Sequence, residues 1–188
     1  ATGLVFTAPI DKFMAHIKVG ILAGIIVTCP LWLYQIWLFI SPGLYQHEKK
    51  IGVGFIFFGT ILFLLGVVFV YQLVYPMAFK YLLTFGGDTD KPMITINEYL
   101  SFFTTTTLLF GAAFEMPLIL VVLGMLGIID HEFLKQQRRV AIMVLAILAA
   151  FITPPDAVSM LALLIPMVLL YELSIYLVKY FEKKRAIG

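Results

Sequence analysis

The sequence predicts an all-α, polytopic membrane protein, with five membrane-crossing helices in a curved bundle with a concave face. Three observations predict it. First, 62% of the 188 residues are hydrophobic, only 13% are charged, and the mean hydropathy is +1.02. A soluble domain of that size could not cover its surface with polar groups. Second, apolar runs of about 18 residues or more recur between charged or turn-forming clusters, as spans of a bilayer do. Third, Pro30, Pro76, Pro117 and Pro166 lie inside four of the five runs. One or two prolines are ordinary in membrane helices, whereas four point to a curved bundle.

The elements follow in order within one membrane domain, residues 1–188. Residues 1–14, with Pro9, Asp11 and Lys12, form an external segment. The first span covers 15–40; Pro30 interrupts it, and Trp32, Tyr34 and Trp37 sit toward its far end, where aromatic residues favour the interface. Lys18, near its start, can snorkel to the surface. Ser41-Pro42-Gly43 stops the helix, and 41–51 is a short cytoplasmic loop. The second span, 52–83, is long and therefore tilted, kinked or projecting. A Gly- and Asp-rich external loop, 84–96, leads to the third span, 97–127. A charged loop or short surface helix, 128–139, follows. The fourth run, 140–152, reaches only about 20 Å, short of the roughly 30 Å hydrocarbon core. An external loop, 153–159, separates it from a second short span, 160–178, and 179–188 is a cytoplasmic tail.

Orientation comes from the basic residues. With five spans, Lys49/Lys50, Lys135/Arg138/Arg139 and Lys179/Lys183/Lys184/Arg185 share one side, which the positive-inside rule makes cytoplasmic. The start of the chain is then outside and its end inside. An exported start without a signal peptide, at Ala1 in a loop-like stretch, predicts one further span ahead of it. The net charge of +2 says little about partners, and no nucleic acid is expected. The single cysteine, Cys29, excludes an internal disulfide and a CxxC metal site; no metal and no cofactor is expected.

The chemistry centres on Phe114-Glu115-Met116-Pro117, near the middle of an apolar run. A carboxylate at that depth costs roughly 2.5–3.5 kcal/mol on insertion scales, and it rarely sits there without a partner or a task. Gly111, Thr107, Thr104 and Ser101 precede it at helical spacing and make one small, polar stripe. Glu115 is either a buried group that holds the bundle together or a polar spot on a concave, partly wet face. Glu48 also has two readings: a solvated loop charge, or an acidic contact for a basic ligand, since a carboxylate can accept both arms of an arginine fork. Glu172 is placed to pair with the basic cytoplasmic end. There is no HExxH, P-loop, GxGxxG or GxSxG, and no facing pair of carboxylates, so an enzyme is not expected.

Ser41-Pro42-Gly43-Leu44-Tyr45-x-His47-Glu48-Lys49-Lys50, preceded by Tyr34-Gln35-Ile36-Trp37-x-Phe39, resembles the first cytoplasmic loop of TatC, the large subunit of the twin-arginine protein translocase. Phe114-Glu115-Met116-Pro117 resembles the fourth-helix motif of that family. Thr153-Pro154-Pro155-Asp156 and Ile165-Pro166-Met167 resemble its fifth and sixth helices. The resemblance implies six spans in the whole family fold, with helices two to six in this chain. It also implies binding of signal peptides with paired arginines and export of folded proteins across the bacterial plasma membrane, driven by the proton-motive force. Carried over, Glu48 is the acidic contact for the arginine pair, with Phe39, Pro42, Leu44 and Tyr45 in the recognition surface. Thr153, Pro154, Pro155, Asp156 and Met160 fall in the region where single-span TatA- and TatB-type subunits dock. Met160 stands where some members carry a polar residue. Self-association and membrane lipid complete the implied partners. The alternative from another class is a proton-coupled small-molecule transporter centred on Glu115, which would favour internal repeats that are not seen.

Overall fold

The computed structural model describes residues 10–43, 51–84, 95–152 and 157–187. Nine α-helices are found among them, and no strand. Helices α1 (Asp11–Val27) and α2 (Cys29–Ile40) make up the first apolar run. They are bent by 56° at Thr28, so the expected single span is a broken one. Pro30 permits the break: without an N–H it cannot donate to the preceding turn, and its ring crowds that turn. Thr28 Oγ donates to Gly24 O at 2.7 Å, alongside the Thr28 backbone N–H, and the Trp32 indole reaches the Ile25 carbonyl at 3.4 Å, so side chains add to the hydrogen bonding at the bend. A 3-10 turn, Ser41–Gly43, closes the segment.

Helix α3 (Gly52–Phe69) passes through one π-helical stretch, Val70–Val74, into α4 (Tyr75–Thr84). The wider turn falls just ahead of Pro76, where the ring needs room. Helices α5 (Ile96–Phe114) and α6 (Met116–Met125) meet at Glu115 and together form a span of 30 residues. Thr95 caps α5 by accepting from the Glu98 N–H. Gly127, at φ 72°, ends α6 with Ile128 N–H on Leu123 O and Gly127 N–H on Gly124 O, a paired closure that needs a left-handed residue.

The charged stretch after α6 contains α7 (His131–Gln136), capped by Asp130 through the Phe133 N–H at 2.7 Å. Helix α8 (Arg138–Ile152) has 15 residues, too few to cross a 30 Å core upright. Helix α9 runs Ala157–Ile187, with an apolar span Leu163–Lys183. It is therefore longer than the short span and separate tail read from sequence. The apolar pattern stops near Leu177, but backbone hydrogen bonding carries the helix on through its basic end.

Helices α3, α5 and α1 form one side of the bundle and α6, α9 and α8 the other, while α2 lies along α3. The α3–α5 crossing is close because it is made by glycines. A Cβ on Gly66 would lie 2.9 Å from the Phe110 carbonyl, and one on Gly111 2.5 Å from the Phe63 ring. Much of the outer surface is apolar, including Val53 at 80% exposed and Phe151 at 86% exposed. With lipid as solvent that exposure carries no penalty.

Candidate functional site: a buried carboxylate and an exposed aromatic end

Glu115 sits at the α5–α6 break, where Pro117 occupies the first turn of α6 and no side-chain cap forms. It is 5% exposed, and neither carboxylate oxygen has a hydrogen-bond partner among the described residues. Its wall is α3: a Cβ on Gly59 would lie 3.3 Å from Glu115 Oε2. Cys29, at the other helix break, meets Thr60 and lies within the field of the Glu115 carboxylate. The two proline-associated breaks thus converge on one turn of α3. Sequence spacing could not place Cys29 and Thr60 there, because nothing local links them to Glu115.

The polar stripe leading to Glu115 is mostly consumed in packing. Lys18 Nζ, expected at the surface, donates to Asn97 Oδ1 and to Ser101 Oγ, the latter at 2.6 Å. It joins α1 to α5 instead of snorkelling. Thr107 exchanges a 2.7 Å hydrogen bond with Tyr75 OH, which also donates to Phe103 O. Gly111 receives Phe63. Only Thr104 shares with Glu115 the lack of a partner among the described residues of this stripe.

At the opposite end of α2, Phe39 is 87% exposed, beside the exposed Pro42 in the 3-10 turn. The other recognition-surface residues read from sequence, Leu44, Tyr45 and Glu48, lie outside the described residues. So do Thr153, Pro154, Pro155 and Asp156; Met160 is half-buried and packs against the core. Phe39 and Glu115 are not brought together. Leu33, level with Gly59 beside Glu115, is six residues from Phe39, or roughly 9 Å along the helix. Among the described residues, an arginine–carboxylate ion pair and a histidine–carboxylate hydrogen bond hold the charged end. Arg138 Nη2 donates to Glu172 at 2.7 Å, and Glu182 accepts from both the backbone and the ring of His131, at 2.8 and 2.5 Å. Tyr171 OH also donates to Leu134 O, tying α9 to α7.

No group of metal-ligating side chains occurs among the described residues. Three helices long and apolar enough to cross a membrane, or four with the bent pair, packed around a carboxylate that has no partner among the described residues, define a multi-pass helical membrane protein. The TatC family profile, Sec-independent protein translocase protein (TatC), matches residues 1–166. The chain is 42% identical over 186 residues to the Sec-independent protein translocase protein TatC of Carboxydothermus hydrogenoformans, covering 98% of this chain and 76% of that one. It is 43% identical over 176 residues to the TatC protein of Helicobacter pylori strain J99, covering 94% and 71%. A crystal structure of the twin-arginine translocase receptor TatC in DDM superimposes with TM-score 0.81 at 37% identity, covering 93% of this chain and 78% of that one. The chain belongs to the TatC family and is a component of a protein translocase. The small-molecule transporter alternative finds no support in these comparisons.

Proposed function

We propose that this chain is the receptor of a twin-arginine translocase in a bacterial plasma membrane. It takes signal peptides carrying paired arginines at its cytoplasmic end and scaffolds single-span TatA- and TatB-type subunits. Transport of the folded cargo then draws on the proton-motive force. The observation that carries the reading is Phe39, 87% exposed at the end of α2 and one turn from the chain that leads to Glu48. An exposed aromatic ring suits a guanidinium, which stacks on its face, and Glu48, nine residues on in the sequence, supplies a carboxylate of the kind an arginine fork pairs with. Lys135 and Arg138, brought onto the α9 end where Lys179 and Lys183 lie, support a cytoplasmic placement of that end. Glu115 is read as the intramembrane polar contact for a partner helix, and Met160 with 153–156 as the docking edge for the small subunits.

The test is site-specific photo-cross-linking in membranes. A probe is placed beside Glu48, and signal peptides carrying Arg-Arg or Lys-Lys are added. Arg-Arg peptides are expected to label strongly and Lys-Lys peptides weakly. Glu48→Lys reduces Arg-Arg labelling by about tenfold or more, as loss of a charge-assisted contact does, with the protein still folded. Equal labelling by both peptides, or labelling unchanged in Glu48→Lys, removes Glu48 from the receptor site.

A further inference from the structure

Helix α2 buries one stripe, Cys29, Leu33 and Trp37, at four-residue spacing. Trp37 is its last inward residue: from Leu38 to Gly43 every residue is half-buried or exposed. The Trp37 indole is 6% exposed, packs on Phe55 with ring centroids 5.1 Å apart, and lies over Gly52, the first residue of α3. A Cβ on Gly52 would lie inside the ring, 2.6 Å from Trp37 Cε2 and 2.9 Å from Cδ1. The atoms it would meet belong to the five-membered half of the indole. The start of α3 thus carries a notch that glycine leaves open and the indole fills.

The residues around this seat are those of the proposed recognition surface. Phe39 follows Trp37 by two residues in the same helix, or about 200° around its axis. Holding the indole inward turns the phenyl outward, and Phe39 is exposed. Residues 44–50, which include Glu48, follow the turn that ends at Gly43 and precede Ile51, the neighbour of Gly52. Gly43 is seated as well: a Cβ there would lie 2.9 Å from Leu126 Cδ2 at the end of α6. Glycine contacts therefore set both ends of that stretch, and Trp37 ties the direction of Phe39 to the start of α3.

We propose that Trp37 is a positioning residue for signal-peptide recognition. Seated in the Gly52 notch, it holds the Phe39 ring and the attachment points of the Glu48 stretch in one fixed relation, which lowers the ordering cost of binding. The inference rests on the receptor reading above and adds to it a residue that touches no peptide. Arginine gains from a fixed arrangement because its fork is planar and directional, whereas lysine is a point charge on a flexible stem. The indole therefore acts on the preference for arginine over lysine more than on binding as a whole.

The experiment reads the ratio of Arg-Arg to Lys-Lys signal-peptide labelling from the probe beside Glu48, with the protein in membranes. Gly52→Ala drives a methyl into the indole. Trp37 lines an apolar groove of about 410 Å³ between α3, α6 and α9, so the displaced ring has somewhere to go. The ratio is expected to fall by about three- to tenfold, the worth of one hydrogen bond in the fork. Trp37→Phe is the milder change; it removes the five-membered half of the ring, leaves the notch empty, and should also lower the ratio. In Gly52→Ala with Trp37→Phe the methyl takes the vacated space, and the ratio should return to within about twofold of the unaltered protein's, the non-additivity expected of residues in contact. In a Trp32→Phe background Trp37 is the single indole, and its emission maximum should move in Gly52→Ala. A ratio unchanged in both Gly52→Ala and Trp37→Phe, with only the thermal midpoint lowered, overturns the proposal and leaves Trp37 a packing residue. A double variant no better than Gly52→Ala overturns it too, as does a lost preference with the emission unmoved. Absence of any Arg-Arg preference in the unaltered protein overturns the receptor reading and this proposal together. A preference that the variants keep overturns this proposal alone.

Discussion

The two helix breaks carry the same local signal and have different outcomes. Thr28 stands two residues before Pro30, and Glu115 two residues before Pro117, each at the junction of two helices. At Thr28 the chain bends by 56°; at Glu115 it continues as one span, Ile96–Met125. The difference lies in the neighbours. Helix α1 packs on α5 and α2 packs on α3, so the halves of the first run follow different helices. Across Glu115, α3 is a splint: Gly66 meets Gly111 before the break, and Gly59 meets Leu118 after it. Proline removes the same hydrogen bond in both places, and packing decides how far the axis turns. Polar satisfaction differs in the same direction. The exposed Thr28 returns its hydroxyl to Gly24 O, whereas splinted Glu115 is buried with no partner among the described residues.

The largest expected effect comes from breaking the splint. Gly111→Val places a branched side chain where even a Cβ is 2.5 Å from Phe63. It should cost about 1–3 kcal/mol or more, seen as a lower thermal midpoint and less monodisperse protein after detergent extraction. Normal yield and midpoint would show that the glycine crossing does not hold the break straight. Next comes the unpartnered carboxylate. Glu115→Leu should leave stability unchanged or raise it by up to about 1–3 kcal/mol, because it removes a buried unsatisfied group. Export in cells should fall at normal protein level, and Glu115→Gln should show how much of that fall the charge accounts for. Loss of folded protein with export per molecule intact would make the residue structural. The smallest effect is expected from Pro30→Ala. If packing sets the bend, spin-label distances between Phe13 and Leu38 should shift by only a few ångströms. Lengthening to the distance of a straight helix would return the bend to proline alone.

How much could be read in advance depended on range. The membrane class, the break near Pro117 and the pairing of Glu172 with the basic end came from composition, local sterics and charge. Lys18 was misread because a lysine near a helix start has two outlets of similar cost, the interface and a polar partner. Asn97 and Ser101 lie roughly eighty residues away in the chain. The stripe from Ser101 to Glu115 was correctly seen as one face of a helix. What that face meets was not visible, and most of it meets Tyr75, Phe63 and Lys18 instead of a wet cavity.

By itself the sequence determined that the chain is helical and membrane-embedded, where its helices can break, and which carboxylate sits deepest. Those properties follow from transfer energies and from the missing proline N–H, which act within a turn or a span. Only the tertiary structure decided that one break bends and the other does not, and that Cys29 and Thr60 face Glu115. It alone decided that an apolar groove opens between α3, α6 and α9. Each of these depends on which helix lies beside which, and in lipid that choice is made by close glycine contacts and polar pairs between distant segments, which no local periodicity encodes.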